Sequence, residues 1–195
     1  EGVLENIYSD AILVGAGGTN GAQIGGLIGR VQEKFENGAN AVHECHITNC
    51  WFAGDIETSA GEKAAVGGLV GIVVWEETTI NNSMSTADII CSNSAATRVG
   101  GLIGNDNATN TTVNVSNAVV AGTITGASKM GAVIGRTGKQ TNVATSVYVS
   151  NTYTIGLYGE LNSTDGSLIK AIKTDFAANG KLEDTLYALN TNVNK

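Results

Sequence analysis

A short glycine-rich pattern occurs four times along the chain and restricts the possible folds more than any other feature of the sequence. The copies read IGGLIG, VGGLVG, VGGLIG and MGAVIG and occupy residues 24–29, 66–71, 99–104 and 130–135. Their first glycines lie 42, 33 and 31 residues apart. A repeat of this length is one structural unit that cannot bury its apolar side chains alone, so neighbouring copies are expected to stack on one another.

A second block recurs between the glycine patterns and aligns without gaps. It reads ITNCWFAGDI at residues 47–56, INNSMSTADI at 80–89 and VSNAVVAGTI at 115–124. One column of this alignment holds Asn49, Asn82 and Asn117. Stacked strands bring equivalent residues to about 4.8 Å from each other. We therefore expect an asparagine ladder at a corner of the chain, because asparagine tolerates the left-handed conformation that a bend requires.

These regularities predict an all-β chain, since β-branched residues are plentiful, glycine is frequent (Gly 26) and proline is absent (Pro 0). We expect a right-handed parallel β-helix, a solenoid of about four to five rungs with about three strands in each. The β-helix is assigned to residues 1–160. The glycine pair is expected to mark a corner that resets the side-chain alternation, because the columns of Leu27 and Ile28 are both apolar in every copy. An outer layer that covers the second face is the alternative.

The ends of such a stack are exposed sheet edges, which natural proteins cover. Residues 161–195 are expected to form a capping segment, in which Leu182, Leu186 and Leu189 recur at the spacing of a short amphipathic helix. The N-terminal end shows no equivalent cap. We therefore expect the chain to be part of a longer multidomain protein.

Charge and hydropathy exclude several classes of partner. The formal net charge is −7, and the eleven Lys and Arg residues are scattered, so a nucleic-acid partner is not expected. No segment approaches the run of about 18 apolar residues that a membrane-spanning helix needs. Cys45, Cys50 and Cys91 are odd in number, so at least one thiol is free. Cys50 is interpreted as a small core residue, with pairing to Cys45 as the alternative.

The copies IGGLIG, VGGLVG and VGGLIG resemble the GLUG motif (Gly-Leu-hydrophobic-Gly), a repeat of bacterial surface proteins that include adhesin-like proteins of gut Bacteroidetes. The resemblance spans roughly residues 1–160. It implies an extracellular or cell-surface β-helical module with an adhesive or scaffold role, and it brings neither catalytic residues nor a cofactor. The copy MGAVIG departs from the motif at Ala132 and Val133, so a looser corner is expected there.

Two tryptophans are candidate ligand contacts, because an exposed indole can stack on a sugar ring. Trp51 shares its column with Met84 and Val119, which favours packing over ligand binding. Trp75 lies outside the aligned blocks, in a predicted loop, and is the better ligand candidate of the two.

Two acidic residues, Asp55 and Asp88, occupy one column of the alignment, and Thr123 ends that column. On neighbouring rungs they would form a pair of carboxylates, the arrangement with which polysaccharide-cleaving β-helices hold Ca²⁺. Solvated, outward-facing acids are the alternative and the favoured interpretation.

Two further motifs suggest known sites but depart from them. In the run HECH at residues 43–46 the histidines are three residues apart, one short of the zinc-binding HExxH spacing. On a strand, Cys45 would face one side and Glu44 and His46 the other, so an edge or loop is favoured over a metal site. The run VGAGGTNG at residues 14–21 is interpreted as a turn, because no helix follows it as a dinucleotide loop would require.

No convergent set of acid, base and nucleophile is found, so the chain is predicted not to be an enzyme. We expect a non-enzymatic adhesin or scaffold module that binds a glycan or an extracellular protein. The alternative from another class is a polysaccharide-degrading lyase or hydrolase, and a third possibility is a spacer without a ligand.

Overall fold

The structure, a computed structural model, describes residues 1–16, 21–32, 35–36, 39–40, 43–74, 76–93, 97–107, 112–150, 152–162 and 171–175. Every regular element in these ranges is a β-strand.

Copy 1 of the repeat comprises β1 (Gly2–Glu5), β2 (Tyr8–Ser9), β3 (Leu13–Gly15), β4 (Gln23–Gly25) and β5 (Ile28–Gln32). A hairpin of β6 (Phe35–Glu36) and β7 (Ala39–Asn40) follows. Copy 2 comprises β8 (Glu44–Thr48), β9 (Trp51–Phe52), β10 (Ile56–Thr58), β11 (Ala65–Gly67) and β12 (Val70–Val74). Copy 3 comprises β13 (Glu77–Ser85), β14 (Ile89–Cys91), β15 (Arg98–Gly100) and β16 (Ile103–Asp106). Copy 4 comprises β17 (Val113–Val120), β18 (Ile124–Thr125), β19 (Lys129–Gly131) and β20 (Ile134–Arg136). Copy 5 comprises β21 (Thr141–Val143), β22 (Val147–Ser150) and β23 (Tyr158–Glu160), and β24 (Ile172–Thr174) follows it.

Strands from successive copies pair side by side in four parallel sheets within the described ranges. Sheet 1 contains β1, β2, β8, β9, β13, β17, β21, β22 and β24. Sheet 2 contains β3, β10, β14 and β18, sheet 3 contains β4, β11, β15 and β19, and sheet 4 contains β5, β12, β16, β20 and β23. Only the hairpin of β6 and β7 is antiparallel among the described pairs. It lies between copies 1 and 2, where the repeat spacing is the longest of the three.

The strand register confirms the columns predicted from the repeat. Ile80 of β13 pairs with Ile47 on one side and with Val115 on the other. Ile89 of β14 pairs in the same way with Ile56 and with Ile124. Most of these side chains are fully buried, because each inward-facing column is stacked on its own equivalents.

The asparagine corner is also confirmed. Asn49, Asn82 and Asn117 have φ angles of 55°, 49° and 46°, in the left-handed region. Nδ2 of Asn82 donates a hydrogen bond to Oδ1 of Asn49, so these two side chains form the expected ladder. At the next step Nδ2 of Asn117 donates to Oδ1 of Asn81, at 2.9 Å, in place of Asn82.

The glycine pattern forms a bend that joins sheet 3 to sheet 4. Leu69 and Val70 are consecutive, yet both are fully buried in the same core cluster. A Cβ atom on Gly67 would lie 2.0 Å from the carbonyl oxygen of Val70 and 2.6 Å from the amide nitrogen of Gly104. These are backbone atoms, so only glycine fits. The expectation that the corner resets the alternation is confirmed.

Two expectations about the repeat are wrong. Copies 1 to 4 each contribute to four sheets, whereas three strands were expected, because the glycine bend is flanked by a separate strand on each side. The corner of the fourth glycine pattern is not looser, since Ala132 and Val133 are fully buried. Their amides bond to the carbonyl oxygens of Gly156 at 2.8 Å and Leu157 at 3.0 Å.

The predicted helical cap at Leu182, Leu186 and Leu189 lies outside the described residues. Within the stretch assigned to the capping segment, β24 pairs with β22 through Tyr148 and Ile172 and extends sheet 1. The boundary between residues 160 and 161 stays a prediction.

Candidate ligand-binding surface

The outer face of sheet 1 carries polar side chains in matched columns, because alternate residues of each strand point away from the core. Thr79 pairs with His46 and with Asn114, and Asn114 pairs in turn with Asn142. A second column, two residues further along the same strands, contains Thr48, Asn81 and Ser116. We call these seven residues the polar outer face.

Hydrogen bonds run along these columns from copy to copy. Nδ2 of Asn142 donates to Oδ1 of Asn114 at 3.0 Å, and Oγ of Ser116 donates to Oδ1 of Asn81 at 3.1 Å. The side chains of Asn81, Asn114, Ser116 and Asn142 are thereby held in position, and all seven residues remain partly accessible to solvent. A ligand would therefore meet a regular and preorganised array of amides and hydroxyls.

Of the predicted ligand contacts, Trp75 lies outside the described residues. Trp51 is half-buried and packs against a small apolar cluster that contains Met84 and Val119. Its register with Met84 confirms the predicted column. Nε1 of Trp51 donates to Oγ1 of Thr86 at 3.1 Å, so its polar atom is satisfied within the protein.

Trp51 also forms an aromatic pair that was not predicted from the sequence. Its ring lies edge-on to Tyr8, with the ring centroids 4.9 Å apart. Tyr8 is 53% exposed, so this pair places an accessible aromatic ring at the end of the Trp51 column. The signal was present in the sequence, because LENIYSDAIL at residues 4–13 aligns without gaps with residues 47–56 and brings Asn6 and Tyr8 into the columns of Asn49 and Trp51.

The structure brings Asp55 and Asp88 onto neighbouring copies. The amide of Ile56 bonds to the carbonyl oxygen of Asp88 at 2.9 Å, and both carboxylates are exposed. Oδ1 of Asp88 accepts hydrogen bonds from N and Oγ1 of Thr123, at 2.7 and 2.8 Å. The carboxylate of Asp88 is thus turned toward the threonine that ends the column.

The HECH run lies at the start of β8, which pairs with β1 on one side and β13 on the other, so the expected edge or loop is wrong, whereas the side chains alternate as expected for a strand. Cys45 is buried, whereas Glu44 and His46 point outward. Nε2 of His46 lies 3.2 Å from Glu44 and 3.8 Å from Glu1, and the three groups offer ligand atoms within 4.8 Å of one another. One imidazole and two carboxylates form a ligand set that suits a divalent transition metal. The two carboxylates are exposed, so the same contacts also fit a solvated surface cluster of ion pairs without a metal.

The three thiols are free and buried, which confirms the interpretation of Cys50 as a core residue. Burial raises the pKa of all three thiols, and it raises the pKa of Cys91 to about 11. Burial therefore disfavours the thiolate, which is the nucleophilic and metal-binding form, at all three cysteines.

Three cations surround one acid in a group that was not predicted from the sequence. Oε2 of Glu160 lies 3.3 Å from Nε of Arg98, 3.0 Å from Nζ of Lys129 and 3.5 Å from Nε of Arg136. Burial opposes ionisation of this carboxyl group, but hydrogen bonds from Lys129 and Arg98 hold the pKa of Glu160 below its usual range. We call these four residues the Glu160 cluster.

The cluster lies on the outer side of sheets 3 and 4. Arg98 pairs with Lys129 in sheet 3, and Arg136 pairs with Glu160 in sheet 4. A signal for it was present, because a basic residue stands directly before the third and fourth glycine patterns and Arg136 directly follows the fourth.

No family model, no curated protein and no solved structure matches this chain. In the described ranges there is no helix of the length and hydropathy needed to cross a bilayer.

Proposed function

We propose that the four sheets are the sides of a right-handed parallel β-helix and that each copy of the repeat is one rung. The register supports this, since equivalent residues of successive copies pair directly and in parallel. Successive parallel strands require a crossover between them, and such crossovers are almost always right-handed.

We further propose that the chain is a non-enzymatic adhesin or scaffold module of a secreted or cell-surface protein, of the GLUG type, that binds a glycan or an extracellular protein. The polar outer face carries this proposal. Amides and hydroxyls in fixed columns match the hydroxyl and amide groups of such ligands over a broad surface, without a deep pocket. Trp75, Trp51, Asp55 and Asp88 remain proposed contacts.

The test is an array of glycans and extracellular-matrix proteins probed with the parent protein and two matched variants. Thr79→Arg places a large cation in the middle of the polar outer face, whereas Thr125→Arg makes the same change at an exposed position of sheet 2. We expect binding that Thr79→Arg abolishes and Thr125→Arg leaves unchanged. Equal binding by both variants would show that the binding site does not lie on sheet 1. An array without any binding, for the parent and for Trp75→Ala alike, would favour a spacer.

The rival function is a polysaccharide lyase or hydrolase, and the observation in its favour is the position of Asp55 and Asp88 on neighbouring copies. Incubation with acidic polysaccharides and Ca²⁺ separates the two functions. Unsaturated products that disappear with Asp55→Ala or Asp88→Ala would replace the adhesin proposal with an enzymatic one.

A further inference from the structure

The Glu160 cluster contains more positive charge than its acid neutralises. Arg98, Lys129 and Arg136 surround a single carboxylate, which leaves an excess of two positive charges in a chain whose formal net charge is −7. The side chains are 19%, 34% and 24% exposed, so the cations are sheltered but accessible. A cationic site of this kind attracts anions more strongly than isolated surface lysines do, because partial burial reduces screening by solvent and salt.

The donors of the cluster are only partly used. All three described contacts fall on Oε2 of Glu160, and Oε1 has no hydrogen bond among the described residues. Arg98 bonds to Glu160 through Nε alone, and in the described part of the chain its two Nη atoms make no hydrogen bond. Arg136 directs Nη1 to Oδ1 of Asn107 at 3.4 Å, and its buried Nε faces Oε2 of Glu160 at 3.5 Å. The two Nη atoms of Arg98 are therefore the donors that a second oxyanion could use.

We propose that the Glu160 cluster is a binding subsite for the carboxylate of an acidic polysaccharide, a uronate chain, and that the carboxylate of Glu160 competes with the ligand for the same cations. The three cations already bind the carboxylate of Glu160, which favours a carboxylate as the ligand group. The neutral amide of Asn107 beside Arg136 suits the hydroxyl groups of a sugar ring. This inference rests on the proposed glycan binding and names the class of glycan.

Four variants test the proposal, with polygalacturonate as the probe and calorimetry as the measurement. Arg98→Gln and Lys129→Gln each remove one cation, and we expect each to weaken binding about tenfold, the effect of one lost charge-assisted hydrogen bond. Glu160→Gln removes the competing charge, and we expect binding about three- to tenfold tighter. Arg30→Gln is the matched control. Arg30 occupies the same column of sheet 4 as Arg136, about 14 Å away across Ile72 and Asn105, and should leave binding unchanged.

Further probes identify the chemistry of the ligand. Dextran is the neutral polysaccharide, dextran sulfate carries sulfate in place of carboxylate, and poly-L-glutamate carries carboxylates on a peptide. We expect polygalacturonate to bind most tightly and its affinity to fall with added NaCl. Equal affinity for dextran sulfate would overturn the carboxylate assignment, and equal affinity for poly-L-glutamate would overturn the polysaccharide assignment.

Three other results would overturn the proposal. Arg30→Gln could weaken binding as much as Arg98→Gln, which indicates diffuse charge attraction. Glu160→Gln could fail to tighten binding although its circular dichroism spectrum and melting temperature match those of the parent. Polygalacturonate could fail to bind both the parent and Glu160→Gln. If the array of neutral glycans and matrix proteins is still positive in that last case, the adhesin proposal stands without this subsite. If the array is blank as well, both proposals fail.

Discussion

Asn49 donates a hydrogen bond from Nδ2 to Oδ1 of Asn6, 3.2 Å away and 43 residues earlier in the chain. Asn6 has a φ angle of 58°, and Asn82 continues the ladder from the other side of Asn49 with a φ angle of 49°. The left-handed backbone and the side-chain ladder therefore coincide at one corner. Asparagine supplies both, because its short side chain tolerates positive φ and its amide is donor and acceptor at once.

Replacing Asn82 should separate these two contributions. Asn82→Ala loses the ladder and leaves a β-carbon at positive φ, and we expect it to lower the free energy of unfolding by about 2–3 kcal/mol. Asn82→Gly loses the ladder but relieves the backbone, so its cost should be about 1 kcal/mol. Urea denaturation measures both.

The control for this comparison is Asn142→Ala. It removes a side-chain hydrogen bond to Asn114 from a strand residue whose φ angle is not positive. We expect it to cost about as much as Asn82→Gly. If Asn82→Gly is instead as destabilising as Asn82→Ala, backbone conformation is not the reason for asparagine at this corner.

The glycine bend gives a second prediction. A β-carbon on Gly67 would meet only backbone atoms, so no side chain can move aside, and we expect Gly67→Ala to cost more than about 4 kcal/mol or to prevent folding. Gly156→Ala is the matched control, since its β-carbon would meet nothing closer than the carbonyl oxygen of Tyr158 at 3.5 Å. It should be neutral in thermal unfolding. Equal melting temperatures for the two variants would show that the close approach at Gly67 does not constrain the fold.

These two corners illustrate what the sequence alone could predict. Columns such as Asn49 and Asn82 are readable because stacking in register forces like residues to lie over one another, and a repeat records that geometry directly. The presence of strands on both sides of Gly68 was not readable, since consecutive apolar residues such as Leu69 and Val70 do not reveal where a strand ends.

The Glu160 cluster was harder to predict for a different reason. Arg98 and Lys129 repeat a basic residue in one column, but the column of Arg136 places an acid, Glu160, in the next copy. A column whose charge changes sign from one copy to the next does not indicate an ion-pair cluster in an alignment of repeats. Only the pairing of Arg136 with Glu160 brings the acid to the cations.

Trp51 gives a third prediction, through a double-mutant cycle with Thr86. Trp51→Phe keeps most of the packing against Met84 but removes the Nε1 donor, and Thr86→Ala removes the acceptor. We expect each to cost about 1 kcal/mol in the free energy of unfolding and the double variant to cost little more than either alone. Fully additive costs would show that the hydrogen bond between the two side chains does not stabilise the fold.

The pH dependence of stability follows from the buried thiols. The pKa of Cys91 is raised from 9.0 to about 11, so the folded state holds its proton more tightly than the unfolded state does. The contribution of Cys91 to stability is complete below pH 9 and is lost as the pH rises from about 9 to about 11. Relative to Cys91→Ala, the free energy of unfolding of the parent should fall over this window by an amount on the order of 2 kcal/mol.

A constant difference between the parent and Cys91→Ala over this pH range would contradict the burial of an uncharged thiol. Native Cys91 should also resist alkylation by iodoacetamide at pH 8 and react once urea unfolds the chain, because only the thiolate is nucleophilic.

The last prediction concerns the two acids that occupy one column. Asp88→Ala removes an acceptor from both N and Oγ1 of Thr123, so we expect a loss of about 1 kcal/mol in the free energy of unfolding. Asp55→Ala removes an exposed carboxylate that makes no side-chain hydrogen bond among the described residues, and it should be neutral. Because Asp88 is turned toward Thr123 rather than toward Asp55, both changes in the free energy of unfolding should be the same with and without Ca²⁺. A melting temperature that rises with Ca²⁺ in the parent but not in Asp55→Ala would instead identify the pair as a cation site, and would strengthen the enzymatic alternative.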